Sequence, residues 1–230
     1  MFSYYFDPTY VLVIIAFLLT LFASMGVKST FSKYNDVRSS RGITAASAAR
    51  QILDANGLQN IRIEPVSGDL TDHYSPNENV IRLSDSTYNS TSVAAIGVAA
   101  HECGHAVQHQ VGYVPIKIRN GIVPIVNVCN TLSMPIFIIG LILGLGRLAM
   151  VGAILFGAVL VFQLVTLPTE INASRRAMKT LESMYLLEGD ELTGARKTLF
   201  CIYALTATSD GSIGKSSCFI IAISSDGVGI

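Results

Sequence analysis

What most limits the fold of this chain is three long runs without a charged residue. Residues 9–27, 122–146 and 148–167 contain no Asp, Glu, Lys or Arg and are rich in Val, Ile, Leu and Phe. Each is close to the ~20 apolar residues that carry a helix across the hydrocarbon core of a bilayer. Surface helices of a soluble domain show a polar face, and these runs show none. Composition agrees, since 14% of the residues are charged against roughly a quarter in soluble domains. Only Arg147 separates the second run from the third, so the pair reads as a helical hairpin through the membrane. The first run begins too near the N-terminus for a basic leader region and lacks a clear small-residue cleavage site. It therefore reads as a retained anchor.

The basic residues set an expected orientation. None precedes the first run, while Lys28, Lys33, Arg38 and Arg41 follow it. Lys117 and Arg119 precede the second run, and Arg175, Arg176 and Lys179 follow the third, leaving Arg147 alone on the other side. The positive-inside rule then places residues 28–121, and the chain from 168 onward, in the cytoplasm. The expected location is the bacterial cell membrane, crossed several times. Sixteen basic and sixteen acidic residues cancel, so no net field draws nucleic acid as a partner. The lipid bilayer is the partner expected from composition. Cys103, Cys129, Cys201 and Cys218 form no C-x-x-C pair, which suits a reduced, cytosol-facing protein.

Residues 28–121 read as an α+β unit. Thr44 can cap a helix reaching Asn56, with Gly57 as its stop. Residues 61–66 alternate like a strand, and residues 70–74 and 80–83 flank a turn-rich Ser75-Pro76-Asn77-Glu78-Asn79 connection, so a hairpin is expected. Ser90 or Ser92 can cap the next helix, which is long and apolar.

That helix carries His101-Glu102-Cys103-Gly104-His105. Two histidines four apart share one helical face and can bind one zinc ion, with Glu102 beside the first placed to act as general base. So short a motif also arises by chance. Here residues 93–100 are small and apolar, and two imidazoles and a carboxylate in such a helix are costly to bury without a metal or partners. A catalytic zinc takes three protein ligands and keeps one position open. His109 fails as the third, because eight residues of helix rise about 12 Å beyond His101. His73 has no spacing rule behind it. Glu170 is separated from His105 by two membrane runs, which returns it to the same side of the bilayer, and it stands where Pro168 could begin a helix.

The segments His101-Glu102-Cys103-Gly104-His105-Ala106-Val107-Gln108-His109 and Leu167-Pro168-Thr169-Glu170-Ile171-Asn172-Ala173-Ser174-Arg175-Arg176 resemble the bacterial neutral zinc metallopeptidases of the YugP-like family. Residues 70–76 resemble that family's hairpin, and the likeness covers about residues 1–197. A more distant resemblance is to membrane gluzincins of the HtpX and Ste24 type. The resemblance implies a zincin-like (minigluzincin-like) catalytic domain combined with transmembrane helices. It also implies zinc held by His101, His105 and Glu170, with Glu102 as base. The distant relatives carry Asp where this chain has Ser174, so either Ser174 or Asn172 is expected to orient a ligand histidine. A further apolar span is implied after residue 197, yet residues 198–207 are only modestly apolar and 209–217 read as loop.

The expected organisation is therefore an anchor (1–27), a cytoplasmic zincin-like domain (28–121), a transmembrane hairpin (122–167), a cytoplasmic helix carrying the third ligand (168–197) and an unassigned tail (198–230). The expected activity is hydrolysis of peptide or protein substrates, membrane proteins among them, at the cytoplasmic face. Substrate is expected to pair in extended form with an edge strand near residues 80–83. The competing expectation is a catalytically silent membrane adaptor with a structural zinc, closed by a fourth ligand from His73 or Cys103.

Overall fold

A computed structural model describes residues 18, 22, 25–26, 29–69 and 71–208. The anchor expected over residues 9–27 lies almost wholly outside them, as do Leu70 and the chain after residue 208. Helix α1 (Ala45–Ala55) starts where Thr44 accepts a hydrogen bond from the Ser47 amide and stops before Gly57, whose φ is 72°. A three-stranded sheet follows, made of β1 (Arg62–Val66), β2 (His73–Ser75) and β3 (Val80–Ser84). A single helical turn, α2 (Asp85–Tyr88), leads to α3 (Val93–Gln110), whose first turn is capped by Ser92 Oγ accepting from the Ala95 amide.

The strand order is β1-β3-β2, with β3 parallel to β1 and antiparallel to β2. This corrects the expected edge strand. Residues 80–83 lie in the central strand, hydrogen-bonded on both sides, and the sheet edge on the hairpin side belongs to β2. Local alternation marks residues as strand but does not reveal which strand a tertiary crossover will insert in the middle.

Helices α4 (Val114–Ile142) and α5 (Gly146–Ser183) form the hairpin, joined by a short turn through Gly144. The two pack with backbones in close approach, so that a Cβ added to Gly152 would lie 2.6 Å from the Phe137 amide nitrogen. Ile125, Leu141, Ile142, Val161 and Leu164 are exposed. By length and composition, α4 and α5 could each cross a membrane. At 38 residues, α5 is about 57 Å long, well beyond the ~30 Å of a hydrocarbon core. Its second half runs on into the α+β unit, where Ala173, Ala177 and Leu181 are buried at i, i+4 spacing.

Pro168 does not begin a helix, because α5 passes through it. Proline removes one backbone hydrogen bond from a helix interior, a loss tolerated where neighbouring helices hold the segment. Glu170 therefore sits inside a continuous helix. Helix α6 (Gly189–Thr208) also runs past residue 197, where the unassigned tail was expected to begin, and buries Ala195, Thr198 and Leu199. The principal core joins α1, the sheet, α3, the second half of α5 and α6.

Candidate metal centre

Helix α3 is buried along its whole length except at Glu102, His109 and Gln110. It crosses α5 at Gly104, where a Cβ would meet the Ala173 carbonyl oxygen at 2.6 Å. The absence of a side chain thus lets the two backbones approach, and His101 and His105 of α3 come against Glu170 of α5. All three are buried, with 3%, 7% and 4% of their surface accessible. His101 Nε2 lies 3.1 Å from Glu170 Oε2 and 3.1 Å from His105 Nε2, and His105 Nε2 lies 3.5 Å from the same carboxylate oxygen. One donor atom from each residue falls within 4.8 Å of the others.

The outer nitrogens of the imidazoles are occupied, which orients the rings. His105 Nδ1 is 3.1 Å from Gln108 Oε1. Gln108 Nε2 donates to the Thr169 carbonyl at 2.8 Å and to Asn172 Oδ1 at 3.1 Å. The glutamine oxygen is thereby left as an acceptor, so His105 Nδ1 carries the proton and its Nε2 lone pair faces the centre. Arg176 Nε steadies Asn172 Oδ1 from the other side at 2.8 Å. His101 Nδ1 lies 3.1 Å from Ser174 Oγ. Both residues considered for orienting a histidine take part: Ser174 directly on His101, and Asn172 through Gln108 on His105.

Glu102 points to the sheet, where its Oε2 accepts the Tyr74 amide of edge strand β2 at 3.0 Å. Although the residue keeps partial solvent access, atoms crowded around its carboxyl strip away water and push its pKa up to about 7, against the pull of His101. Strand β2 is itself anchored through Asp72, whose carboxylate accepts from the Ser84 amide at 2.8 Å, Ser84 Oγ at 3.0 Å and Thr87 Oγ1 at 3.2 Å. Burial holds the Asp72 carboxyl above its usual range despite those bonds.

His109 is exposed and packs edge-on against Tyr74, with ring centroids 6.2 Å apart. His73 Nδ1 is bonded to the Thr71 carbonyl at 2.8 Å, and buried Cys103 turns its thiol to the Ala49 carbonyl. None of the three joins the cluster. Sequence reasoning missed Gln108, Gly104, Tyr74 and Arg119, whose Nη2 reaches to 3.5 Å from Glu170 Oε1. Of these, Gln108 carried a readable signal, since it stands three residues after His105 on the same face.

These observations define a mostly helical α+β protein with a small sheet and a buried centre of three metal-capable donors beside two helices able to cross a membrane. The chain belongs to the family described as "putative neutral zinc metallopeptidase", whose model matches residues 9–208. It is also 45% identical over 188 residues to a Bacillus subtilis protein called "putative membrane protease YugP", covering 82% of this chain and 84% of that one. No solved structure matches the chain. The family is one of zinc peptidases, and the donor set suits that metal. Two imidazole nitrogens and a carboxylate oxygen are the ligand types zinc takes, and here they converge in a buried site where, among the described residues, Arg119 at the far oxygen is the cation paired with the carboxylate.

Proposed function

We propose that this protein is a zincin-like, zinc-dependent peptidase of the cell membrane that hydrolyses peptide bonds at the cytoplasmic face. His101, His105 and Glu170 hold the metal and Glu102 is the general base. The observation that carries this reading is the convergence of those three buried donors from two helices, with Glu102 following His101 in the chain and its carboxylate turned to a sheet edge.

Held by His101, His105 and Glu170, zinc would supply a Lewis acid that polarises the scissile carbonyl and acidifies water. Glu102 would accept a proton from the attacking water at its carboxylate and pass it to the leaving amine. The Tyr74 amide holds one oxygen of Glu102 and leaves the other free for the proton. An extended substrate, a peptide or a segment of a membrane protein, adds along the open edge of β2 and brings its backbone to Glu102. The silent-adaptor alternative needs a fourth ligand from His73 or Cys103, and both are engaged elsewhere. A three-donor set with one position open is the pattern of a catalytic site.

Metal analysis of purified variants tests the ligand set. The parent and His109→Ala should each carry one zinc per chain, and His105→Ala should lose it. A His109 variant without metal, or a His105 variant that keeps it, sinks the assignment.

A further inference from the structure

Arg119 stands on the second turn of α4, the helix that opens the membrane hairpin, and its side chain is 17% exposed. Its Nη2 lies 3.5 Å from Glu170 Oε1, while Glu170 Oε2 faces the two imidazoles at 3.1 and 3.5 Å. The carboxylate is thus shared, one oxygen turned to the guanidinium and the other to the histidines. Arg119 Nε is buried without a hydrogen-bond partner, so that atom ties the guanidinium to nothing else. Glu170 is the acid paired with Arg119 among the described residues. Burial and geometry then keep the pair together: a part-buried guanidinium without a carboxylate is costly, and its Nη2 meets the carboxylate at Oε1, 3.5 Å away, on the side turned from the imidazoles.

We propose that Arg119 is a positioning residue of the metal centre: from the membrane hairpin it holds the far oxygen of Glu170, so that a single carboxylate oxygen is presented to the metal. The inference rests on Glu170 being a ligand. It gives α4 a part in the site as well as in the bilayer. It also accounts for a basic residue that, at the sequence level, reads only as a marker of membrane orientation.

Zinc affinity, measured by competition with a chromogenic chelator on the full-length protein in detergent, tests this without any substrate. Arg119→Ala should weaken zinc by about 10- to 100-fold, the range typical for partners that orient a metal ligand. Arg119→Lys, which keeps the charge and loses the fork, should fall between Arg119→Ala and the parent. In a Glu170→Gln background, which keeps a carbonyl oxygen toward the metal but removes the charge Arg119 pairs with, Arg119→Ala should cost much less than in the parent, because the residue acts through the Glu170 carboxylate; a general structural role would give an additive loss. Thermal unfolding of the metal-free proteins checks that the variants fold, and Arg119→Lys carries the test if the alanine variant does not. Parent-like affinity in both Arg119 variants, or an undiminished loss in the Glu170→Gln background, overturns the proposal. A parent that binds no zinc overturns the functional reading with it, whereas failure confined to the Arg119 variants leaves that reading standing.

Discussion

The side-chain amide of Gln108 is wholly buried and bonded at both ends, accepting from His105 and donating to Thr169 and Asn172. Gln108→Leu would keep the volume but strand the His105 Nδ1 proton and the Thr169 carbonyl. Leaving buried polar groups unpaired costs about 1–3 kcal/mol, and losing a partner of a metal-bound imidazole weakens the metal about 10- to 100-fold. We expect both effects, a lower unfolding temperature and weaker zinc binding by chelator competition. Parent-like zinc affinity would show that Gln108 does not orient His105. At this scale the H-E-x-x-H spacing was legible, and so was the approach of Glu170 to the two histidines, because each follows from helix period or from counting the long apolar runs. Arg119 was not, since nothing local predicts that α4 folds back far enough for its second turn to touch a residue 51 positions on.

Gly104 decides how closely two elements approach. With Ala173 O at 2.6 Å from a would-be Cβ, Gly104→Ala forces α3 and α5 apart, and backbone atoms cannot rotate away as a side chain would. Overpacking of this kind costs typically about 1–3 kcal/mol, or several degrees in unfolding temperature for a chain of this size. Because His101 and His105 lie on one side of the crossing and Glu170 on the other, zinc binding should weaken in the same variant. An unfolding temperature and zinc affinity equal to the parent's would mean that the crossing is looser than described. Elements were read from sequence where a local signal fixes them, as Thr44 and Gly57 fix the ends of α1 and Ser92 the start of α3. They were misread where a distant element decides. The parallel pairing of β1 with β3 moved the edge to β2, and the packing of α5 against α3 carried its helix through Pro168.

The molecule as a whole joins a centre of three metal-capable donors to a hairpin of membrane length, and α5 belongs to both. If Glu170 meets His101 and the hairpin crosses the bilayer twice, the α+β unit and the second half of α5 share one side. By the positive-inside rule, that side is proposed to be the cytoplasm. Single cysteines near Arg147, Asp85 and Lys179, in a background free of native cysteines, should label with a membrane-impermeant reagent in intact cells at the Arg147 position alone. Different accessibility at Asp85 and Lys179 would break the active-site account, and labelling at both from outside would reverse the orientation only. The central claim, that Glu102 performs the hydrolysis beside a metal held by other residues, is tested most directly by one comparison. Zinc content and peptide hydrolysis are measured on the same preparations of the parent and Glu102→Gln. The account predicts one zinc per chain in both and turnover only in the parent, because the substitution removes the base and no ligand. Equal turnover by the two, with zinc present in each, would contradict it.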